Sequence, residues 1–238
     1  MRSSALLILA FMLQTEFASA TYSVIAVDSE TKQVGGAVTS CVGGVSTSIV
    51  LGTVPGFGVL AAQAQVDQVS LLKKNKALNL LKEGESAQTI SSFLADLTSD
   101  PFAAARQHAV VTLTGTAVYN GSAIPLWSGN RSSTVGHLHY SIQGNTLTSE
   151  QVLTQTEDAL RTSTGELAAR LLRAIEAGGE NGQGDSRCTL SGKPSNSAYL
   201  IVLNADGRVD TEIDVVGSDS ALSDLRLRYD KKAKKKSP

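Results

Sequence analysis

The pattern of apolar and polar positions changes period several times along the chain. Near the start, Arg2 is followed by an unbroken apolar run over residues 5–13. That run is far short of the roughly 20 residues a helix needs to cross a bilayer. Polar residues and the small-residue site Ala18-Ser19-Ala20 come next. This three-part layout is that of an export signal cut after Ala20, with a short buried or anchoring helix as the competing reading. Residues 1–20 are therefore expected to be a signal peptide, with a periplasmic or secreted destination and no stable membrane insertion after cleavage. The mature chain then opens at Thr21.

From there the pattern turns to short β-type runs over residues 22–27 and 33–40, separated by a polar turn at 28–32. Two more β-branched runs, 45–54 and 58–64, are split by Pro55-Gly56. Leu71, Leu72, Leu78, Leu80 and Leu81 fit an amphipathic helix that ends near Gly84. Ser86 caps a second helix to about residue 97, before Pro101. Strands are expected at 108–113 and 117–119, a loop around 127–130, and an extended stretch at 137–143. Helical period returns over 149–177, as two helices broken near Thr164-Gly165. A polar, Gly-rich loop over 178–195 leads to a hairpin of strands 198–203 and 209–215. Leu222, Leu225 and Tyr229 suit a last short helix. Strands, two helices, strands, two helices, strands: this order predicts an α+β unit over residues 21–230, with sheets covered by helices. No glycine fingerprint lies between a strand and a helix, which argues against a dinucleotide fold and a nucleotide cofactor.

Composition adds exclusions. Hydrophobic residues make up 42% and charged ones 18%, as in an ordinary globular chain. The formal charge is −1, so no basic field points to nucleic acid. Five lysines (Lys231, Lys232, Lys234, Lys235, Lys236) crowd the end. Without them sixteen basic residues face twenty-two acidic ones, a balance of −6. Residues 231–238 read as a basic disordered tail. Cys41 and Cys188 are the only cysteines, so one pairing exists. An oxidising compartment and the lack of a CxxC pattern favour a bridge over a redox or nucleophilic role, with two free thiols as the alternative.

The sharpest chemical feature is positional. A chain cut after Ala20 gives Thr21 both a hydroxyl and a free α-amine. The amine has an ordinary pKa of about 7.7–8.0, low enough to take a proton near neutrality. A hydroxyl is a weak nucleophile without an adjacent base, and here one residue supplies both. Cleavage must, however, leave some residue first, and threonine arises there by chance as well.

The opening Thr21-Tyr22-Ser23-Val24-Ile25-Ala26-Val27-Asp28, then Val34-Gly35-Gly36-Ala37-Val38-Thr39-Ser40, resembles the start of the domain of unknown function 1028 family. Its typical members begin Thr-Tyr/Phe-Ser-Ile-Val-Ala. Further matches are the segments 58–64, 80–84 (Leu-Leu-Lys-Glu-Gly), Gln143-Gly144-Asn145, 167–172 and Gly178-Gly179. The likeness spans about residues 21–203. It implies an N-terminal nucleophile (Ntn) hydrolase fold, a four-layer αββα sandwich with residue one at an active cleft, and amide hydrolysis without cofactor or metal. Two departures point to a different substrate choice: Cys41-Val42-Gly43-Gly44 replaces bulkier residues, and the link over 178–197 is longer and carries Cys188.

On that fold, acyl transfer needs a donor at the developing oxyanion, and Asn145 is the first candidate, with a plain turn role as the rival. Asp185 and Arg187 are candidates to orient the amine or the substrate, or else a solvated pair. Ser40 is a candidate to hydrogen-bond Thr21. His137 and His139 have metal-ligand spacing but no completing Cys or Glu, so a core or surface role is favoured. His108 has no identifiable partner, and no G-x-S-x-G elbow supports a serine triad. The expected protein is an exported N-terminal-threonine amidohydrolase acting on a small amide or peptide-like substrate. The alternative is a non-catalytic small-ligand-binding or envelope interaction protein; a homo-oligomer is left open.

Overall fold

The computed structural model describes residues 18–19 and 21–236. The rest of the expected signal peptide lies outside the described residues. Strands β1 (Ala18–Ser19), β2 (Thr21–Asp28), β3 (Val34–Ser40), β4 (Leu51–Val54) and β5 (Gly58–Gln65) come first. Helices α1 (Gln68–Lys82) and α2 (Ala87–Ala95) follow, then β6 (Arg106–Thr112), β7 (Thr116–Asn120), β8 (Trp127–Val135) and β9 (Leu138–Leu147). The remainder is α3 (Gln151–Thr162), α4 (Leu167–Ala177), the short α5 (Ser186–Thr189), β10 (Ser197–Leu203), β11 (Val209–Val215) and α6 (Ala221–Lys236). Among the described residues no helix is long and apolar enough to cross a membrane.

The strands form two antiparallel sheets. One runs β11-β10-β3-β2-β9-β8, and the other β1-β5-β6-β7 with β4 also paired to β5. Period-2 alternation sorts the side chains of β2. Tyr22, Val24 and Ala26 pack with α3, α4 and α6 through Leu153, Leu160, Leu171, Leu172 and Leu225. Ile25 and Val27 point the other way and meet Val59, Ala61, Ala109 and Val111 of the second sheet. The far face of that sheet packs Leu60 and Val110 on Leu81, Ile90 and Leu94 of α1 and α2. Gly36 permits the close approach in the middle: a Cβ there would sit 2.8 Å from Ile25 Cγ2.

Three expectations are corrected. Residues 45–50 are not strand: Ser46 Oγ accepts from the Ser48 amide and caps a 3-10 turn over Thr47–Val50. The loop expected around 127–130 is part of β8, an edge strand half-exposed on both faces, which therefore shows no apolar alternation. The expected short helix and disordered basic tail form one helix through Lys236. Lysine is a good helix former, and cations at a helix C-terminus complement the macrodipole.

His108 lies between β6 and α2. Its ring stacks on Tyr119 with centroids 4.9 Å apart, and Nε2 meets Ser91 Oγ at 3.0 Å. Burial, aided by nearby Lys73 and opposed by the bond to the Ser91 carbonyl, pushes its pKa down to about 4. The folded protein thus holds the ring neutral while the unfolded chain takes up a proton below about pH 6.5. The stability this supplies is full above pH 6.5 and is lost as pH falls towards 4, by about 3 kcal/mol. Urea titrations at pH 7 and pH 4.5 are expected to show a smaller acid loss in His108→Phe than in the wild type.

Candidate active site

The site grows from the first residue of β2. Thr21 is paired with Ser40 of β3 on one side and with Asn145 of β9 on the other. Being odd in the β2 alternation, it shares the face of Ile25 and Val27, between the sheets. Its Oγ1 donates to Ser40 Oγ at 3.1 Å. Its carbonyl accepts from Gln63 Nε2 at 3.1 Å and from Asn145 Nδ2 at 3.4 Å. Tyr22 fixes the strand from the opposite face. Its ring lies where Gly178 and Gly179 have no Cβ, and its hydroxyl reaches the Ile175 carbonyl at 3.2 Å. Burial first, then Asp185 and Glu176, raise the Tyr22 pKa far above its ordinary value, so the phenol stays protonated.

At this end the layer between the sheets is polar. Ser23 Oγ donates to Gln63 Oε1 at 2.8 Å. Gln107 Oε1 accepts from Gln63 at 2.8 Å and from Asn145 at 3.1 Å. Gln107 Nε2 in turn donates to the Gly144 carbonyl at 2.8 Å. No catalytic motif marks the two glutamines in the sequence, but a signal is present: each occupies an inward strand position otherwise filled by Val or Ala.

Asp185 and Arg187 stand one step back. Asp185 is fully buried, which overturns the solvated-pair reading. It caps α5 and accepts from the Cys41 amide at 2.7 Å and from Arg187 Nη2 at 2.9 Å. Cys41 and Cys188 form the bridge, with Cα atoms 5.7 Å apart. Closing a loop of 147 residues stabilises by about 5 kcal/mol in the chain-entropy model. Bridge and carboxylate together tie the residue after Ser40 to α5, so Ser40 is held at Thr21 by covalent and charged contacts. His137 and His139 lie away from the site, beside Glu30 and Thr134. Among the described residues no group of three or more His, Cys, Asp or Glu is placed to hold a metal ion.

Beside Asn145 opens a cavity of about 130 Å³. Ala64, Gln65 and Thr146 border it on the β5 and β9 side, and Ala105, Ala123, Ile124 and Pro125 form an apolar wall. Arg106, ion-paired with Asp67 and Asp100, also bonds the Gln65 carbonyl and so fixes the end of β5.

The amide network sets a stability expectation. Gln107→Leu leaves Gln63 and Asn145 without their shared acceptor, and denaturant titration is expected to show a loss of about 2–4 kcal/mol. Gln88→Ala, on the exposed face of α2, is expected to stay within about 0.5 kcal/mol.

Two comparisons bear on identity. The crystal structure of a Silicibacter pomeroyi protein assigned to DUF1028 superposes with a TM-score of 0.69, covering 90% of this chain and 86% of that one at 23% identity. At that identity the likeness speaks for the fold alone. No curated protein matches the chain. The model of the family of unknown function DUF1028 matches residues 21–235, and the chain belongs to that family.

Proposed function

We propose that the protein is an exported N-terminal-threonine amidohydrolase of the Ntn type, acting on small amides or peptide-like compounds. The observation that carries this reading is the hydroxyl of Thr21, at the first position of the family match. It donates to Ser40, and Thr21 is paired across the sheet with Asn145, which borders a cavity. The order of helices, sheet, sheet and helices agrees with the four-layer sandwich implied by the family resemblance.

In the mature chain Thr21 Oγ1 attacks the substrate carbonyl carbon, and its proton passes to the α-amine of the same residue. Negative charge develops on the carbonyl oxygen. Asn145 Nδ2 supports it by exchanging its longer bond, at 3.4 Å to the Thr21 carbonyl, for one to the oxyanion. The carbon–nitrogen bond then breaks, and the leaving amine takes the proton from the α-ammonium. Water attacks the resulting ester with the α-amine as base, releasing the acid and restoring the hydroxyl. Ser40 is a positioning residue that aligns Oγ1. Asp185 and Arg187 are positioning residues that hold the chain beyond Ser40. The sequence of steps draws on no metal or organic cofactor.

The test is hydrolysis of a panel of N-acyl amides by protein whose first residue is verified as Thr21. Thr21→Ala is expected to lose activity by roughly 10³-fold or more, and Thr21→Ser to retain part of it. Full activity in Thr21→Ala sinks the proposal, and saturable binding without any turnover favours a ligand-binding module instead.

A further inference from the structure

Helix α6 changes character along its length. Its first half packs: Ala221, Leu222 and Leu225 are buried in the core beneath the helix-covered sheet, with Tyr229 partly buried against it. Its second half carries Lys231, Lys232, Lys234, Lys235 and Lys236. The rest of the chain sets sixteen basic residues against twenty-two acidic ones, so this helix end is a basic pole on an acidic body. Successive residues turn by about 100° around an α-helix. Leu227, Lys231, Lys234 and Lys235 therefore share an arc of about 100°, on the side away from Leu222 and Leu225. All four are exposed, Leu227 by 52%.

The protein does not neutralise this face. Among the described residues Lys231, Lys232, Lys234 and Lys235 have no ion-pair partner. The arginines of the same helix are engaged: Arg226 with Glu176 and with Asp230 at 3.8 Å, and Arg228 with the Asp214 carbonyl. Lys231 lies three and four positions from Lys234 and Lys235, and Lys232 three from Lys235. At those spacings like charges meet on the helix surface and oppose the helix. The macrodipole favours cations in the last turn only. A layer of anions laid over the face removes the repulsion.

We infer that this face of α6 docks the protein onto an anionic phospholipid bilayer, with Lys231, Lys234 and Lys235 against the headgroup phosphates and Leu227 at the headgroup–acyl boundary. Lys232 flanks the contact. A cluster of four or more Lys or Arg on a helix recognises anionic lipid, each cation near the surface adding about fivefold to the partition. Leu227 separates a bilayer from other polyanions, because it gains from the acyl boundary and gains nothing from a phosphodiester backbone. Nucleic-acid recognition leans on exposed aromatic rings for base stacking. The one ring of α6, Tyr229, is half-buried with the Arg226 guanidinium 6.0 Å from its centre. The attachment is peripheral and salt-sensitive, since a single leucine enters the boundary. It is independent of the hydrolase reading of Thr21.

The test is partition onto sedimented vesicles of the protein beginning at Thr21, which lacks the apolar run over residues 5–13. At about 50 mM NaCl it is expected to bind vesicles of phosphatidylcholine with one third phosphatidylglycerol at least about 50-fold more strongly than vesicles of phosphatidylcholine alone, and to be released at about 0.5 M NaCl. Lys231→Gln, Lys232→Gln, Lys234→Gln and Lys235→Gln together are expected to remove most of that gain at an unchanged melting temperature. Leu227→Ser is expected to weaken partition about threefold. Equal partition onto the two kinds of vesicle, or unchanged partition of the fourfold variant, overturns the inference. Tighter binding per phosphate to a short DNA duplex than to the anionic vesicles, indifferent to Leu227→Ser, also overturns it and assigns the face to nucleic acid.

Discussion

Double-sided pairing of β2, by β3 on one edge and β9 on the other, is the constraint on which the rest of the site depends. It sets Thr21 opposite both Ser40 and Asn145. Because strand side chains alternate, it also decides that the Thr21 hydroxyl enters the space between the sheets and not the helix-facing core. A slip of one residue would exchange the two faces and put Tyr22 where Thr21 stands. Both faces resist such a slip. Tyr22, Val24 and Ala26 are buried against the helices, and Ile25 and Val27 against the second sheet.

The layer between the sheets changes character along its length. At one end it is an ordinary core of Val, Ile and Ala. At the Thr21 end the same inward positions carry Ser23, Gln63, Gln107 and Asn145, which bond to one another and to main-chain carbonyls. Buried amides are costly unless their donors and acceptors are matched. The four named residues are matched to one another, while Oε1 of neighbouring Gln143 is left without a partner among the described residues. The matching also holds the Thr21 carbonyl and so the first residue of the strand. The chain therefore accepts a costly polar layer at the place where position matters most, while the apolar remainder and the disulfide support it.

Much of the architecture is legible from periodicity because burial is one-sided. The break at Gly165, which lies at φ +94° between α3 and α4, behaves as its sequence suggests. Helix α1 does so only in part: of its leucines only Leu81 is fully buried and Leu72 is exposed, with Lys73 and Lys74 buried beside it. Strand β8 does not, since an edge strand with two half-exposed faces has no alternation to read. Of the site, Thr21 stands out by position, and Ser40 and Asn145 through resemblance. The register of β2 explains why these two adjoin it. From sequence Asp185 reads either as a site residue or as half of a solvated pair in a polar loop; it is buried and accepts from Cys41 and Arg187. Gln63 and Gln107 were readable in principle, as amides in apolar strands, but only pairing across two sheets shows that they meet.

All of this chemistry requires that Thr21 carry a free α-amine. The most direct measurement is the intact mass of the protein recovered after export, with its first residue identified by peptide mapping. The account predicts a chain that begins at Thr21 with an unmodified amine and an intact Cys41–Cys188 bridge. A chain that begins elsewhere, or a blocked amine on Thr21, would contradict it.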